Sequence, residues 1–89
     1  KKYLLVSLDQ DREIIKLAQK LREKGEKVII FYGKPSKALE YANTYEIKKI
    51  IFIGKEEVKK KKIKVKNMET GKEKFLTEEQ LLKESSGKY

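Results

Sequence analysis

Three short apolar runs, separated by two amphipathic segments, constrain the fold of this chain more than any other feature. The runs are residues 3–8 (YLLVSL), 28–32 (VIIFY) and 48–53 (KKIIFI). Continuous apolar runs of this length are typical of β-strands that are covered on both faces. Strands of that kind occur mainly in parallel sheets, whose crossover helices supply the cover. The runs therefore predict a layered α/β domain.

The segment between the first two runs has the spacing of an amphipathic helix. Its apolar residues fall at positions i, i+3, i+4 and i+7 of one helical face, and they are Ile14, Leu17, Ala18 and Leu21. Either Asp9 or Asp11 can cap the start of this helix. Gly25 suits the position just past its end. We therefore expect a helix between residues 11 and 25.

The segment between the second and third runs also predicts a helix. Gly33 and Pro35 interrupt the strand pattern, and residues 36–45 (SKALEYANTY) then form the helix. Its inward face is predicted to carry Leu39, Ala42 and Tyr45. The resulting β-α-β-α-β succession implies parallel strands with right-handed crossovers, and hence helices on both faces of the sheet.

The pattern changes after the third run. Residues 55–62 (KEEVKKKK) show no strand pattern and are predicted to form a connection. Residues 63–67 (IKVKN) alternate between apolar and polar side chains, as expected of a half-buried strand. A turn with Gly71 at positive φ then leads into a return strand over residues 72–76 (KEKFL). The second half of the chain therefore begins with an antiparallel hairpin.

A final helix completes the predicted fold. Thr77 and Gln80 fit its T-x-x-Q capping box, and Leu81 and Leu82 are expected to dock it on the sheet. The complete prediction is an α/β domain with a mixed five-stranded sheet and the element order βαβαββα. Its parallel strands are ordered 2-1-3 with the antiparallel hairpin beside them, and residues 1–89 form a single domain.

The composition argues against catalysis and in favour of a polyanionic partner. Histidine and cysteine are absent, which excludes the commonest neutral-pH base, thiolate nucleophiles, disulfides and the commonest metal ligands. The formal net charge is +9, and a charge of this size is a statement about partners rather than about the fold. The basic residues are densest in residues 54–74, which contain nine lysines and four glutamates.

The hydropathy pattern predicts no membrane partner. The apolar runs are far shorter than the roughly 20 residues that cross a bilayer, and no signal-peptide pattern opens the chain. We expect a cytoplasmic domain. Because the chain begins at Lys1 directly on an apolar strand, we also expect it to have been excised from a longer protein.

Two turns at the carboxyl ends of the predicted parallel strands are candidate sites. Asp9 and Asp11 follow the first strand, where receiver-like domains bind Mg²⁺, but the third strand ends without the further acid that such a site needs. This first turn also has no glycine, which argues against a dinucleotide or P-loop cradle. Residues 33–37 (GKPSK) open the second helix, where backbone N–H groups and lysines could hold a phosphate. The alternative is that Ser36 simply caps the helix.

The lysine-rich segment before and within the hairpin has two parts. Lys59–Lys62 lies in the predicted connection and is either a solvated run or a source of general electrostatic attraction. Lys62, Lys64 and Lys66 share one strand face at intervals of about 6.5–7 Å, a spacing close to that of successive phosphates along a nucleic-acid strand. These lysines either follow an RNA backbone or protect a sheet edge from aggregation.

The second helix adds polar and aromatic candidates. Tyr41 and Tyr45, with Tyr32 before the helix, are either stacking platforms for unpaired bases or half-buried packing residues. Asn43 suits either a helix end or base recognition. These patterns leave both interpretations open.

Four motifs, in order and at the right spacing, make the chain resemble a known family. They are residues 21–25 (LREKG), 39–43 (LEYAN), 53–57 (IGKEE) and 65–71 (VKNMETG). Together they resemble the anticodon-binding domain of class IIa aminoacyl-tRNA synthetases, with the histidyl-tRNA synthetases as the most similar members. The resemblance extends from about residue 3 to residue 82.

The resemblance implies binding of a tRNA anticodon stem-loop, with no catalytic residue in this domain. The longer protein would be a histidine–tRNA ligase carrying this domain at its carboxyl terminus. ATP and Mg²⁺ would act only in its separate catalytic core, and the full-length protein is a candidate homodimer. The RNA-binding residues, taken from the resemblance and from the patterns above, are predicted to be Lys34, Ser36, Lys37, Tyr41, Asn43, Glu57, Lys64, Lys66 and Asn67.

One departure from the family pattern keeps an alternative open. Residues 33–38 read GKPSKA, whereas the histidine-specific members usually have G-R-S-L-K-K-Q before the L-K-Y-A motif. The arginine is missing and the spacing differs by about one residue. The alternative hypothesis is a regulatory or dimerisation module of a synthetase-like paralogue that lacks aminoacylation activity.

Overall fold

The computed structural model describes residues 2–86; residue 1 and residues 87–89 of the predicted domain lie outside them. The elements are β1 (Lys2–Ser7), α1 (Asp11–Glu23), β2 (Lys27–Phe31), α2 (Pro35–Thr44), β3 (Lys49–Ile53), α3 (Lys55–Lys60), β4 (Ile63–Asn67), β5 (Glu73–Leu76) and α4 (Glu78–Ser86). All predicted strands and helices are present, and α3 is an addition. Within the described part of the chain, no helix combines the length and apolar character needed to cross a membrane.

The strands form one mixed sheet with the order β2-β1-β3-β4-β5. β1 lies between β2 and β3 and pairs with both in parallel. β4 pairs antiparallel with β3, and β5 pairs antiparallel with β4. The predicted five-stranded sheet, with its parallel 2-1-3 order and adjacent hairpin, is thereby confirmed. The ends of β1, β2, β3 and β5 and the start of β4 lie together, and we call this side the carboxyl end of the sheet.

One face of the sheet packs against α1 and α4. The predicted inward face of α1 is buried as expected, with Ile14, Ala18 and Leu21 inaccessible to solvent and Leu17 nearly so. These side chains join residues of all the central strands in one hydrophobic cluster, including Leu5, Ile51 and Val65. The i, i+3, i+4 periodicity therefore identified the packed side of this helix correctly.

The opposite face packs against α2 alone. Ala38 and Ala42 are buried against Leu4 and Phe52 in a second cluster. Leu39 is only partly buried at its edge. The prediction that Tyr45 faces inward is wrong: this residue is the C-cap of α2 and is 58% exposed. Two small alanines, rather than larger side chains, let α2 approach the sheet closely.

The turn before α1 corrects the expected helix cap. Gln10 occupies the N-cap position and makes no side-chain capping hydrogen bond. Asp9 lies outside the helix at a φ of 63°, and Asp11 accepts a 2.6 Å hydrogen bond from the Ser7 hydroxyl. Neither aspartate therefore caps the helix through its side chain. At the other end, Gly25 has a φ of 88°, as predicted for the residue that terminates α1.

The final helix begins as predicted. The Thr77 N–H donates to Gln80 Oε1 at 3.0 Å, and the Gln80 N–H donates to Thr77 Oγ1 at 3.1 Å. Leu81 is fully buried and Leu82 packs against the same cluster. This reciprocal pair satisfies two amide donors at the helix start, which confirms the capping box.

Tyr3 places a hydroxyl group inside the first hydrophobic cluster. Its side chain is inaccessible to solvent, and the hydroxyl has no hydrogen-bond partner among residues 2–86. Burial raises the pKa of Tyr3 from 10.0 to about 12, with smaller contributions from the Glu26 and Glu84 carboxylates. Removing this group from water disfavours the phenolate because the charged form loses most by desolvation.

Candidate nucleic-acid interface

The α2 side of the hairpin is the uncovered part of the sheet. α2 packs on β1 and on the strands beside it, and the cluster beneath it includes no residue of β4 or β5. The side chains that alternate onto this side of the hairpin are Lys64, Lys66, Glu73 and Phe75. We call these four residues the open face. Because the hairpin's opposite side packs against α4, the open face is its solvent-facing surface.

Lys64 and Lys66 lie side by side on the open face. Glu73 lies between them, with carboxylate oxygens 3.3 Å from Lys64 Nζ and 4.0 Å from Lys66 Nζ. The Lys64 ammonium group is also 5.7 Å from the centre of the Phe52 ring. Partly exposed ion pairs of this kind contribute about 0–1 kcal/mol. Both lysines are therefore oriented by Glu73 but remain available to a phosphate.

A cleft of about 220 Å³ separates the open face from the start of α2. Its lining residues are Leu8, Pro35, Leu39, Phe52, Glu57, Lys64, Lys66 and Glu73. The predicted Glu57 thus lies beside two of the predicted lysines, although these residues come from different elements. The structure brings together three of the five charged members of the predicted site.

Glu57 also has a structural role at the start of α3. Its Oε1 accepts a 2.7 Å hydrogen bond from the Gly54 N–H. A Cβ at position 54 would lie 3.0 Å from the same oxygen, so glycine gives the carboxylate room to approach this N–H group closely. The side chain of Glu57 is only partly buried, and a carboxylate has lone pairs for further donors. Capping and contact with a ligand are therefore compatible.

Lys34, Ser36 and Lys37 lie at the start of α2, where Pro35 lines the cleft and these three residues do not. Lys34 is the N-cap residue, and the helix begins at Pro35. No side-chain capping bond is present, so the alternative that Ser36 caps the helix is wrong. Lys37 Nζ lies 3.5 Å from Glu40, and both side chains are largely exposed. Pro35 supplies the cleft wall while its charged and polar neighbours remain in solvent.

Tyr41 and Asn43 do not line the cleft. Tyr41 is half-buried, and its ring centre lies 5.6 Å from that of Phe31 and 4.6 Å from that of Tyr45. Asn43 is exposed near the end of α2, which lies at the opposite end of the sheet. The packing interpretation of Tyr41 accounts for its contacts. A role in RNA binding stays a prediction for both residues.

Asn67 likewise does not line the cleft. It ends β4 beside Lys49, at the opposite end of the sheet from Phe52. Its Oδ1 accepts hydrogen bonds from the backbone N–H groups of Glu69 and Thr70, at 2.9 and 3.3 Å. These are the contacts of an Asx turn, and they fix the hairpin turn. The geometry thus gives Asn67 a structural function, and its RNA contact remains untested.

The prediction that Lys59–Lys62 lies in an irregular connection requires a correction. Lys59 and Lys60 belong to α3 rather than to an irregular connection, and Lys61 is a left-handed C-cap with a φ of 57°. This turn leads directly into β4 and places Lys60 and Lys62 beside Phe75. The short helix was not predicted because Val58 is its single apolar residue, which gives no periodic signal.

Phe75 is a further candidate that the sequence-based list omitted. It lies opposite Lys64 in the β4–β5 register and is 58% exposed. The signal was present, because alternation in the hairpin places residue 75 on the lysine-bearing side once the register is known. Without that register, Phe75 could equally have been assigned to the core.

Across residues 2–86, no cluster of three or more acidic side chains is placed to hold a metal ion. Asp11 accepts its hydrogen bond from Ser7, beside the turn that a receiver-like site would use. The described residues around the cleft offer lysines, a carboxylate pair and an exposed ring, which are groups that can contact the phosphates and bases of RNA.

These features define a class of protein. A small, strongly basic α/β domain with lysines and an aromatic side chain on an uncovered half-sheet has the attributes of an RNA-binding module. The chain belongs to the family of anticodon-binding domains, whose sequence model matches residues 3–86. The resemblance noted from its motifs is thereby confirmed.

Similar proteins agree with this assignment. The histidine–tRNA ligase of Methanococcus aeolicus is 41% identical over 88 residues, which cover 91% of this chain and 21% of that protein. The chain thus spans about a fifth of this curated relative. The apo histidyl-tRNA synthetase of S. aureus has a TM-score of 0.83 at 30% identity, covering 93% of this chain and 25% of that one.

A more distant structure shows the fold alone. The RNA-binding domain of threonyl-tRNA synthetase from Cryptosporidium parvum has a TM-score of 0.89 at 18% identity, and the match covers 98% of this chain and 23% of that one. No observation on the described residues favours the alternative of a regulatory or dimerisation module.

Proposed function

We propose that this domain binds the anticodon stem-loop of histidine tRNA as part of a histidyl-tRNA synthetase, and that it supplies affinity and specificity but no catalytic group. The observation that carries this proposal is the cleft, where Glu57, Lys64 and Lys66 meet beside the start of α2. The histidine–tRNA ligases among the relatives support the choice of tRNA.

The charges suggest that the lysines and the glutamate of the interface contact different parts of the RNA. Lys64 and Lys66, with Lys34 and Lys37 at the start of α2, bind phosphates and position the RNA backbone. The Glu57 carboxylate accepts hydrogen bonds from base N–H groups and so contributes to reading the anticodon. Most contacts in such interfaces position the nucleic acid, whereas contacts to base edges specify sequence.

The remaining activity belongs to the longer protein. A separate catalytic domain would activate histidine with ATP and Mg²⁺, and this domain would hold the far end of the same tRNA. We extend the proposal to a cytoplasmic protein with this domain at its carboxyl terminus and to a homodimeric full-length form. The full-length protein can be isolated and its mass measured in solution. This experiment tests whether the catalytic domain is attached and whether the protein is a homodimer.

A gel-shift experiment with the 89-residue chain tests RNA binding. Histidine tRNA with its own anticodon is compared with a transcript carrying a swapped anticodon, at 50 and 200 mM salt. Contacts to three to five phosphates of a single strand predict a loss of affinity of about 20- to 100-fold between these salt concentrations. Equal affinity for the two transcripts, or an affinity that does not change with salt concentration, would contradict the proposal.

A pair of charge reversals locates the interface. Lys64→Glu with Lys66→Glu should weaken binding strongly for both transcripts. The matched control is Lys16→Glu in α1 with Lys24→Glu at its C-cap, which changes the net charge equally at the opposite face of the sheet. If both pairs weaken binding equally, overall charge rather than the cleft attracts the RNA.

A further inference from the structure

A hollow next to the cleft contains the exposed aromatic ring of the hairpin. It has a volume of about 280 Å³ and is lined by Glu56, Glu57, Lys60, Lys62 and Phe75. This volume lies just below the range of about 300–1,000 Å³ typical of pockets for small molecules. The hollow therefore suits one planar ring system rather than a larger ligand.

The position of Phe75 is unusual for a residue that only stabilises the fold. β5 is an edge strand, and exposed edge strands commonly carry charged side chains that prevent association. Phe75 is 58% exposed, so much of its ring contributes no burial to the core. Its opposite neighbour on β4 is Lys64. An exposed ring among cations is the arrangement that stacks and holds unpaired bases.

The turn after α3 supplies cations on the other side of the ring. The left-handed conformation at Lys61 ends the helix within one residue. Lys60 and Lys62 on either side of it consequently both line the hollow. Neither lysine forms an ion pair with another residue among 2–86. Their ammonium groups are available for a phosphate.

We propose that this hollow is a subsite for one unpaired nucleotide of the bound RNA. The base stacks on Phe75, the adjoining phosphate lies between Lys60 and Lys62, and Glu56 accepts a hydrogen bond from a base N–H. Glu56 is exposed on the rim and has no ion pair within the described residues. The subsite rests on the proposed function, because it extends the same interface by one nucleotide beyond the cleft.

Fluorescent anticodon stem-loops test the stacking contact. 2-Aminopurine is placed at each loop position in turn, and the emission is recorded with the 89-residue chain. One position should be quenched by the wild-type chain and not by Phe75→Leu. Loss of one stacking contact predicts a decrease in affinity of about 5- to 100-fold for Phe75→Leu, whereas Phe75→Tyr should retain both affinity and quenching.

Tyr45→Leu provides the matched control. Tyr45 is also 58% exposed but lies at the end of α2, at the opposite end of the sheet. Its replacement should leave affinity and the quenched position unchanged. Lys60→Gln with Lys62→Gln should reduce the slope of log affinity against log salt by about 0.7, because the two lysines hold one phosphate. Circular dichroism of each variant verifies that the fold is intact.

Three outcomes overturn the inference in different ways. If tRNA binds with the expected dependence on Lys64 and Lys66, but Phe75→Leu changes neither affinity nor quenching, the subsite is refuted and the proposed function stands. If the wild-type chain binds no tRNA, both fail together. Tighter binding of a protein partner than of RNA at the ring, lost in Phe75→Leu, would also refute the subsite.

Discussion

Glu73 allows a prediction in which a substitution strengthens binding. Its carboxylate lies 3.3 Å from Lys64 Nζ and 4.0 Å from Lys66 Nζ. A phosphate bound by either lysine would approach this carboxylate, and the two negative charges would repel each other. Glu73→Gln keeps the size of the side chain and one acceptor oxygen but removes the charge. We therefore expect it to increase the affinity for RNA.

The distances between these charged groups determine how large the increase in affinity should be. A phosphate oxygen about 2.8 Å beyond Lys64 Nζ would lie at most about 6 Å from the Glu73 carboxylate. Coulomb's law gives a repulsion of about 0.7 kcal/mol in water and about 2.8 kcal/mol at an effective dielectric constant of 20. Because Glu73 is 42% exposed and salt screens such charges, the lower part of this range, about 0.7–1.4 kcal/mol, applies. That energy corresponds to a threefold to tenfold increase in affinity, by about 1.4 kcal/mol per factor of ten.

The assay is a titration of labelled tRNA at fixed salt, and Glu84→Gln is a closely matched control. Glu84 also bridges two lysines, at 3.0 Å from Lys74 Nζ and 3.9 Å from Lys49 Nζ, but it does so from α4 on the other face of the sheet. Glu84→Gln removes the same charge from the whole molecule as Glu73→Gln does. If Glu84→Gln raises affinity as much as Glu73→Gln, or if Glu73→Gln weakens binding, the placement of RNA on the open face is refuted.

Three further predictions concern stability, each measured by urea unfolding. Tyr3→Phe should remove one source of pH dependence from the free energy of unfolding. The pKa of Tyr3 is about 12 in the folded state against 10.0 ordinarily, so wild-type stability should fall by up to about 3 kcal/mol relative to the variant as pH rises from 10 to 12. If the stabilities of the two proteins change in parallel with pH, this prediction is refuted. Lys61→Gly should stabilise the fold by about 0.5–1 kcal/mol, because Lys61 has a φ of 57° and glycine adopts that conformation without strain. A loss of stability would show that the contacts of the lysine side chain outweigh the relief of backbone strain. Thr77→Ala should destabilise by about 0.5–2 kcal/mol by removing the acceptor at the start of α4, and an unchanged midpoint would mean that Leu81 alone holds the helix.

The elements that could be predicted are those with a periodic hydrophobic pattern. The inward side of α1 and the alternation of Ile63 and Val65 in β4 both appear in the structure as expected. α3 has no such pattern, and its start depends on the bond from the Gly54 N–H to Glu57. Such a cap can be inferred from sequence only when a helix is already suspected. Local hydrogen bonding, rather than burial, therefore accounts for the one missed element.

The candidate site divides along similar lines. Lys64 and Lys66 follow from strand alternation alone, whereas their proximity to Glu57 depends on where α3 places its first turn. Tyr41 and Asn67 were identified by motif, and the structure gives each of them local contacts that account for its residue type. A motif records positions that the fold needs as well as positions that a ligand needs. Sequence alone could not separate these two reasons.

The topology itself explains why a binding surface exists here. Parallel strands must be joined by crossovers, and those helices cover both faces of β1, β2 and β3. An antiparallel hairpin needs only a tight turn, so β4 and β5 bring no helix to the α2 side. α4 covers the other side of the hairpin, where Ile63 and Val65 are buried. The open face therefore keeps Lys64 and Lys66 partly exposed, with 34% and 24% of their side chains accessible, and it directly adjoins the carboxyl end of the parallel strands. A half-covered sheet of this kind provides both a rigid core and an accessible charged surface from the same two strands.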